Sequence, residues 1–238
     1  MQALDTARRM PVTGLLLVAA GVLAATGSTI LGESFDWPAS LDLGAADALP
    51  AFAAHATAIR LGFYLNLLSS LALIPVAIAL SAALGPTSVA VRSITALGVA
   101  GALAQLLGWV RWPLAVPQLA DAYLAAAPGS AERAAVGASY DLINAYAGGA
   151  VGEHLGWLLQ GIWAVGVGVL LARSTLLPRW LGAAGASLAA VWLPLTAASG
   201  FTGSHLGAVA TVGTLTYTIW YVWLLVIGIV LLVRARRQ

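Results

Sequence analysis

Six apolar runs, each long enough to cross a bilayer, constrain this chain more than anything else in it. A hydrocarbon core about 30 Å thick takes roughly 20 apolar residues in a helix. Six segments reach that length, at about residues 11–32, 54–84, 92–115, 150–173, 180–200 and 207–233. They are continuously apolar and lack period-2 alternation, so they read as helices and not as strands of a barrel. Charge points the same way. Of 238 residues, 61% are apolar and 8% charged, whereas a soluble domain carries roughly 25% charged residues to meet water on every side. A soluble enzyme and a disordered chain are excluded, and no nucleic-acid partner is expected, because the arginines cluster only at the two termini. The expected fold is all-α: one integral membrane domain over residues 1–238, a polytopic bundle of six transmembrane helices with the lipid bilayer as its partner. The first run follows Arg8 and Arg9. It is too long for a signal-peptide core, and no small-x-small cleavage site follows, so it reads as a retained span.

Two absences narrow the chemistry. There is no cysteine, which removes disulfides, thiolate metal sites and a cysteine nucleophile. All 11 basic residues are arginine, and without a lysine amine no retinal or pyridoxal Schiff base forms.

Arg8, Arg9, Arg92, Arg173, Arg179, Arg234, Arg236 and Arg237 all flank one set of helix ends. Arginine excess marks the cytoplasmic side, so both termini are expected inside. Eight of the nine acidic residues (Glu33, Asp36, Asp42, Asp47, Asp121, Glu132, Asp141 and Glu153) and all three histidines fall on the other side. The outer connections, about 33–53 and 116–149, are long. The second contains a turn at Pro128-Gly129-Ser130 and then a short extra helix from Ala131 to Tyr146, with Tyr140, Ile143 and Tyr146 on one stripe. Long polar connections carry sites more often than tight turns do, which places any site on the outer half.

An arginine at membrane depth costs about 2.5–3.5 kcal/mol on insertion scales, so each one needs a reason. The candidates are Arg60 in the second span, Gln105, Trp109 and Arg111 in the third, and Glu153, His154, Trp157 and Gln160 in the fourth. Glu153, Trp157 and Gln160 share a stripe at i, i+4, i+7, as do Gln105, Trp109 and Trp112. Structural readings stand beside the functional ones. Arg60 reaches the outer headgroups, Arg111 between two tryptophans anchors at the interface, and Glu153 caps its helix. Trp163, Trp192, Trp220 and Trp223 either line an apolar pocket or pack against lipid. Gly152 and Gly156 let the fourth helix approach its neighbours closely. His55, His154 and His205 have no i, i+3 or i, i+4 partner, so no metal site and no cofactor is expected.

Three stretches carry a resemblance: Gly108-Trp109-Val110-Arg111-Trp112-Pro113, Gly152-Glu153-His154-Leu155-Gly156 and Leu177-Pro178-Arg179-Trp180-Leu181-Gly182. In order and in placement near helix ends they resemble the bacterial family labelled domain of unknown function 4386. The resemblance implies a six-helix membrane protein and no particular activity; the expected location is the bacterial cytoplasmic membrane. The leading functional expectation is binding or sensing of an apolar or amphipathic anionic ligand, such as a lipid, in an outer-half pocket. There Arg60 and Arg111 meet the anionic head and Glu153 orients them. One alternative is a small transporter with helix breaks at Pro75 and Pro194. The other is an enzyme acting on a lipid or isoprenoid with Glu153 as general acid. Small-residue faces also suit a homo-oligomer.

Overall fold

The computed structural model describes residues 2–84, 88–202 and 208–236, and every element among them is helical. In chain order these are α1 (Gln2–Phe35), a 3-10 turn (Ala39–Asp42), α2 (Ala45–Ala54), α3 (Ala56–Ala83), α4 (Val89–Trp109), α5 (Arg111–Leu114) and α6 (Val116–Ala125). After a turn come α7 (Ala131–Ile143), a π-helical segment (Asn144–Leu155), α8 (Gly156–Arg173), α9 (Arg179–Thr202) and α10 (Ala208–Ala235). Six stretches are long and apolar enough to cross a membrane, and the protein is a multi-pass helical membrane bundle.

The spans close into a ring. Helix α1 packs on α3, α3 on α4, α4 on α8, α8 on α9, α9 on α10, and α10 returns to α1. Each span therefore lies between its neighbours in sequence. Lipid tails are as apolar as leucine, so helices gain by close packing and not by hiding from water. Glycines supply that closeness at most of the seams: Gly27 with Gly62, Gly14 with Gly228, Gly168 with Gly182, and Gly108 with Gly152. At the last pair a Cβ on Gly108 would stand 2.7 Å from the Cα of Gly152. Ser69 adds a hydrogen bond of 2.8 Å to the Ala20 carbonyl between α3 and α1.

Above the ring sits a helical cap. The apolar stretch through α4, α5 and α6 is 37 residues long, and that through α7, the π-segment and α8 is 43. At 1.5 Å per residue each has more than 50 Å of contour, well beyond a core of about 30 Å. The excess forms a hairpin that turns at Gly129, whose φ of +77° suits a residue without Cβ. Ser130 then caps α7, accepting a hydrogen bond from the Arg133 amide. Helix α2 lies against α6 and α7, held there because Asp141 Oδ1 accepts the Ala45 N–H at 3.0 Å. Trp112, wholly buried, is the centre of the cap, stacked on Phe63 at 4.4 Å and edge-on to Phe35 and Tyr140.

Three expectations change. The outer connections are not loops, because 33–53 contains the 3-10 turn and α2, and 116–149 is helical on both sides of its turn. The third span does not end near residue 115: Val110 and Ala115 keep right-handed helical dihedrals, and helix continues through α5 and α6 to Ala125 in the cap. The helix expected over 131–146 is present, but its stripe is broken. Tyr140 is 1% exposed and Tyr146 67%, because i→i+5 winding begins at Asn144 and rotates the later residues off the face that 3.6-residue spacing assigns. His205 lies outside the described residues.

The Gly108–Gly152 seam yields a prediction. Substituting Gly152→Leu forces α4 and the π-segment apart and lowers stability by at least the 1–3 kcal/mol typical of overpacking. Gly32→Ala, whose Cβ meets nothing within 4 Å, leaves it unchanged. Thermal unfolding of the two variants in one detergent compares them directly.

Candidate functional site

Side chains from four spans meet at the axis of the ring. Tyr217 Oη on α10 donates to Gln160 Oε1 on α8 at 2.9 Å. Gln160 Nε2 donates to Gln105 Oε1 on α4 at 3.0 Å, and Gln105 Nε2 donates back to Tyr217 Oη. The three bonds form a closed cycle in which every member both gives and receives. Ser70 on α3 joins it by donating to Gln105 Oε1 at 3.3 Å, and its own hydroxyl accepts Trp109 Nε1–H at 3.1 Å. Gln105, Gln160 and Ser70 are at most 2% exposed. Burying such groups is tolerable only because each finds a partner.

Against the cycle packs a column of rings. Trp157 stacks on Tyr217 at 4.6 Å, Trp192 meets Tyr217 and Trp220 edge-on, and Trp220 contacts Trp163 and Trp223. Trp223 Nε1 donates to the Leu181 carbonyl at 2.7 Å, tying α10 to α9. The four mid-membrane tryptophans do not face lipid. Trp163, Trp192, Trp220 and Trp223 are at most 5% exposed and fill the interior against one another.

Arg111 forms a second assembly, where the cap meets the ring. It is 6% exposed, and its guanidinium donates to the Gly108 carbonyl at 2.5 Å and to Asn144 Oδ1 at 2.9 Å. Asn144 in turn donates to the Leu41 carbonyl at 2.9 Å. The arginine thus joins the last turn of α4 to the start of the π-segment, and Asn144 extends the link to the 3-10 turn. Gly148 makes room for it, since a Cβ there would coincide with the guanidinium. Glu153, on the same π-segment, attracts Arg111 electrostatically. His154 Nδ1 is buried without a hydrogen-bond partner. Among the described residues no group of three or more histidine, cysteine or acidic side chains is placed to hold a metal.

The structure divides the residues singled out in the sequence. Gln105, Gln160, Trp109 and Trp157 meet around Tyr217, Arg111 and Glu153 lie above them at the cap junction, and Arg60 belongs to neither group. Arg60 is exposed on α3 and borders a shallow groove of ≈ 280 Å³ with Thr57, Leu61, Tyr64 and Pro113. Arg60 and Arg111 are therefore not paired over one pocket. The shared stripe of Gln105, Trp109 and Trp112 faces α3: Gln105 and Trp109 bond Ser70, and both tryptophan rings pack on Phe63. Tyr217, Ser70 and Asn144 are the contributors that sequence reasoning missed. Only the Tyr217–Tyr221 pair at i, i+4 was available as a signal. Neither Pro75 nor Pro194 breaks its helix, and the polar axis is closed by its own bonds.

Replacing Tyr217 with phenylalanine removes the hydroxyl that serves both glutamines. Polar pairs inside membrane bundles couple by about 0.6 kcal/mol on average and by up to about 1.7, and stranded buried amides cost more than the bond itself returned. Tyr217→Phe is expected to lose about 1–2 kcal/mol. Adding Gln105→Met and Gln160→Met recovers part of that loss, because the two amides are no longer stranded and only the Ser70 hydroxyl loses an acceptor. Denaturation of the single and triple variants in detergent reads the difference.

No curated protein and no solved structure matches the chain. The family model described as Domain of unknown function (DUF4386) matches residues 12–228, from the first span into the last, and the chain belongs to that family.

Proposed function

We propose that the chain binds anionic amphiphiles at the junction of cap and bundle, and that it sits in the cytoplasmic membrane with the cap outside and both termini inside. The observation that carries the reading is the groove at Arg60. Thr57, Arg60, Leu61 and Tyr64 are spaced i, i+3, i+4, i+7 on one face of α3, and Pro113 of α5 closes the far wall. Ile59 next to Arg60 is buried in the cap core, so the guanidinium stands at the level where hydrocarbon gives way to headgroups. Its forked donors suit a phosphate or carboxylate, and the Thr57 and Tyr64 hydroxyls lie on the same face. Leu61 and Tyr64 are 51% and 48% exposed and continue downward as a track for an acyl chain. A volume of ≈ 280 Å³ holds a headgroup and leaves the tail against the helix.

One exposed arginine near a membrane surface contributes about 1 kcal/mol toward an anionic lipid, equivalent to about fivefold in occupancy. Native mass spectrometry of protein drawn from vesicles of phosphatidylglycerol and phosphatidylcholine is expected to show phosphatidylglycerol adducts that fall about fivefold in Arg60→Gln. The Arg92→Gln variant, at the opposite end of the bundle, keeps them. Equal retention in both variants overturns the reading.

The orientation rests on arginine placement, since Arg92, Arg173, Arg179, Arg234 and Arg236 all lie at the end away from the cap. A chain without cysteine permits a direct check. With a membrane-impermeant maleimide on intact cells, Ala127→Cys in the cap turn is expected to label and Arg236→Cys to label only after lysis. The reverse pattern inverts the topology.

A further inference from the structure

A second depression, shallow and open, lies on the cap, away from the bundle. It has a volume of ≈ 690 Å³ and runs along α7 between Arg133 and Asp141, facing Ala45 at the start of α2 and Tyr123 on α6. Arg133, Gly137 and Asp141 are spaced i, i+4, i+8, so they lie along one helix face, with Ala138 beside them. Eight residues of helix place the two charged positions about 12 Å apart.

Both charges are held in place. The Arg133 guanidinium lies 4.2 Å from the centroid of the Tyr123 ring, and its Nη1 donates to the Ala126 carbonyl at 3.4 Å. Asp141 Oδ1 accepts the Ala45 N–H at 3.0 Å. Each contact fixes the group without neutralising it, because a ring face and a carbonyl leave the guanidinium charged and an amide leaves the carboxylate charged. The floor between them is Gly137 and Ala138, small enough for a backbone to lie against.

The geometry points to a site for a linear zwitterion of peptide length, three to four residues with free termini, its carboxylate on Arg133 and its ammonium on Asp141. An extended chain spans about 3.3–3.6 Å per residue, so three to four residues cover about 10–14 Å and match the separation of the two charges. A single amino acid, whose two charged groups sit on one carbon, reaches only one end. An anionic lipid engages Arg133 alone and leaves Asp141 opposed to its tail. The site is independent of the Arg60 groove, which lies on α3 and α5.

Calorimetric titration of the full chain in nanodiscs tests this with tetraalanine, with its N-acetylated amide and with free alanine. Tetraalanine is expected to bind, and capping its termini to weaken binding at least tenfold, with alanine no better than the capped peptide. Asp141→Asn keeps an oxygen for the Ala45 N–H while removing the charge. It is expected to retain the thermal stability of the parent and to bind tetraalanine at least tenfold more weakly. Ala138→Trp, at an exposed groove position, fills the floor and is expected to abolish binding. No heat from tetraalanine at millimolar concentration on the parent chain overturns the proposal, as does capped peptide bound equally well or binding that survives Ala138→Trp.

Discussion

The hydrogen-bonded cycle of Gln105, Gln160 and Tyr217 is what the closed ring of spans is organised around. Hydrocarbon offers no competing donors or acceptors, so each amide must be answered from within the protein or not at all. The cycle answers them across α4, α8 and α10, and Ser70 extends it to α3. Apolar packing alone holds helices in contact but distinguishes poorly between rotations of a helix about its own axis. A polar cycle makes that distinction, because turning any one of these helices away leaves buried groups unpaired. The glycine seams and the aromatic column then pack at the rotations the cycle selects.

The cap depends on a different constraint. Arg111 cannot face lipid cheaply and here it does not. It donates to the Gly108 carbonyl in the last turn of α4 and to Asn144, and Asn144 reaches the 3-10 turn. A residue type usually found at the edges of membrane proteins becomes the joint between the two layers of this one. The π-segment belongs to the same joint. Its wider turn, with Gly148 beneath the guanidinium and Gly152 against Gly108, lets a long cation pass between two closely packed helices. The candidate surfaces lie outside this joint, on faces it holds rigid.

The spans were legible because hydropathy is a local property and a window of about 20 residues contains the whole signal. The roles of the polar residues were not. Gln105 and Gln160 stood out as costly at depth, but the partner that satisfies them lies 112 and 57 residues away along the chain, and no spacing rule connects different spans. Arg111 and Arg60 looked equivalent in sequence, each an arginine in an outer half. What separates them is packing against other parts of the chain: Arg111 meets Asn144 of the π-segment beneath the cap, while Arg60 lies on an exposed face of α3. Tyr146 was assigned to the wrong face for a similar reason: pattern reading assumes 3.6 residues per turn, and the chain departs from that value at Asn144.

The order of the ring carries a consequence for how the protein is made. Helices enter a membrane from the N-terminus onward, and each of these can pack on the one before it as it arrives. The cycle behaves otherwise, because Tyr217 sits on the final helix. Until that helix is in place, the Gln105 and Gln160 amides have only each other and the Ser70 hydroxyl, and the α1 face that α10 covers stays open to lipid or to other proteins. A nascent chain of five spans is thus incomplete in its chemistry as well as its length. It presents a temporary polar seam that insertion machinery or a neighbouring protein can hold, and one tyrosine hydroxyl ends that interval.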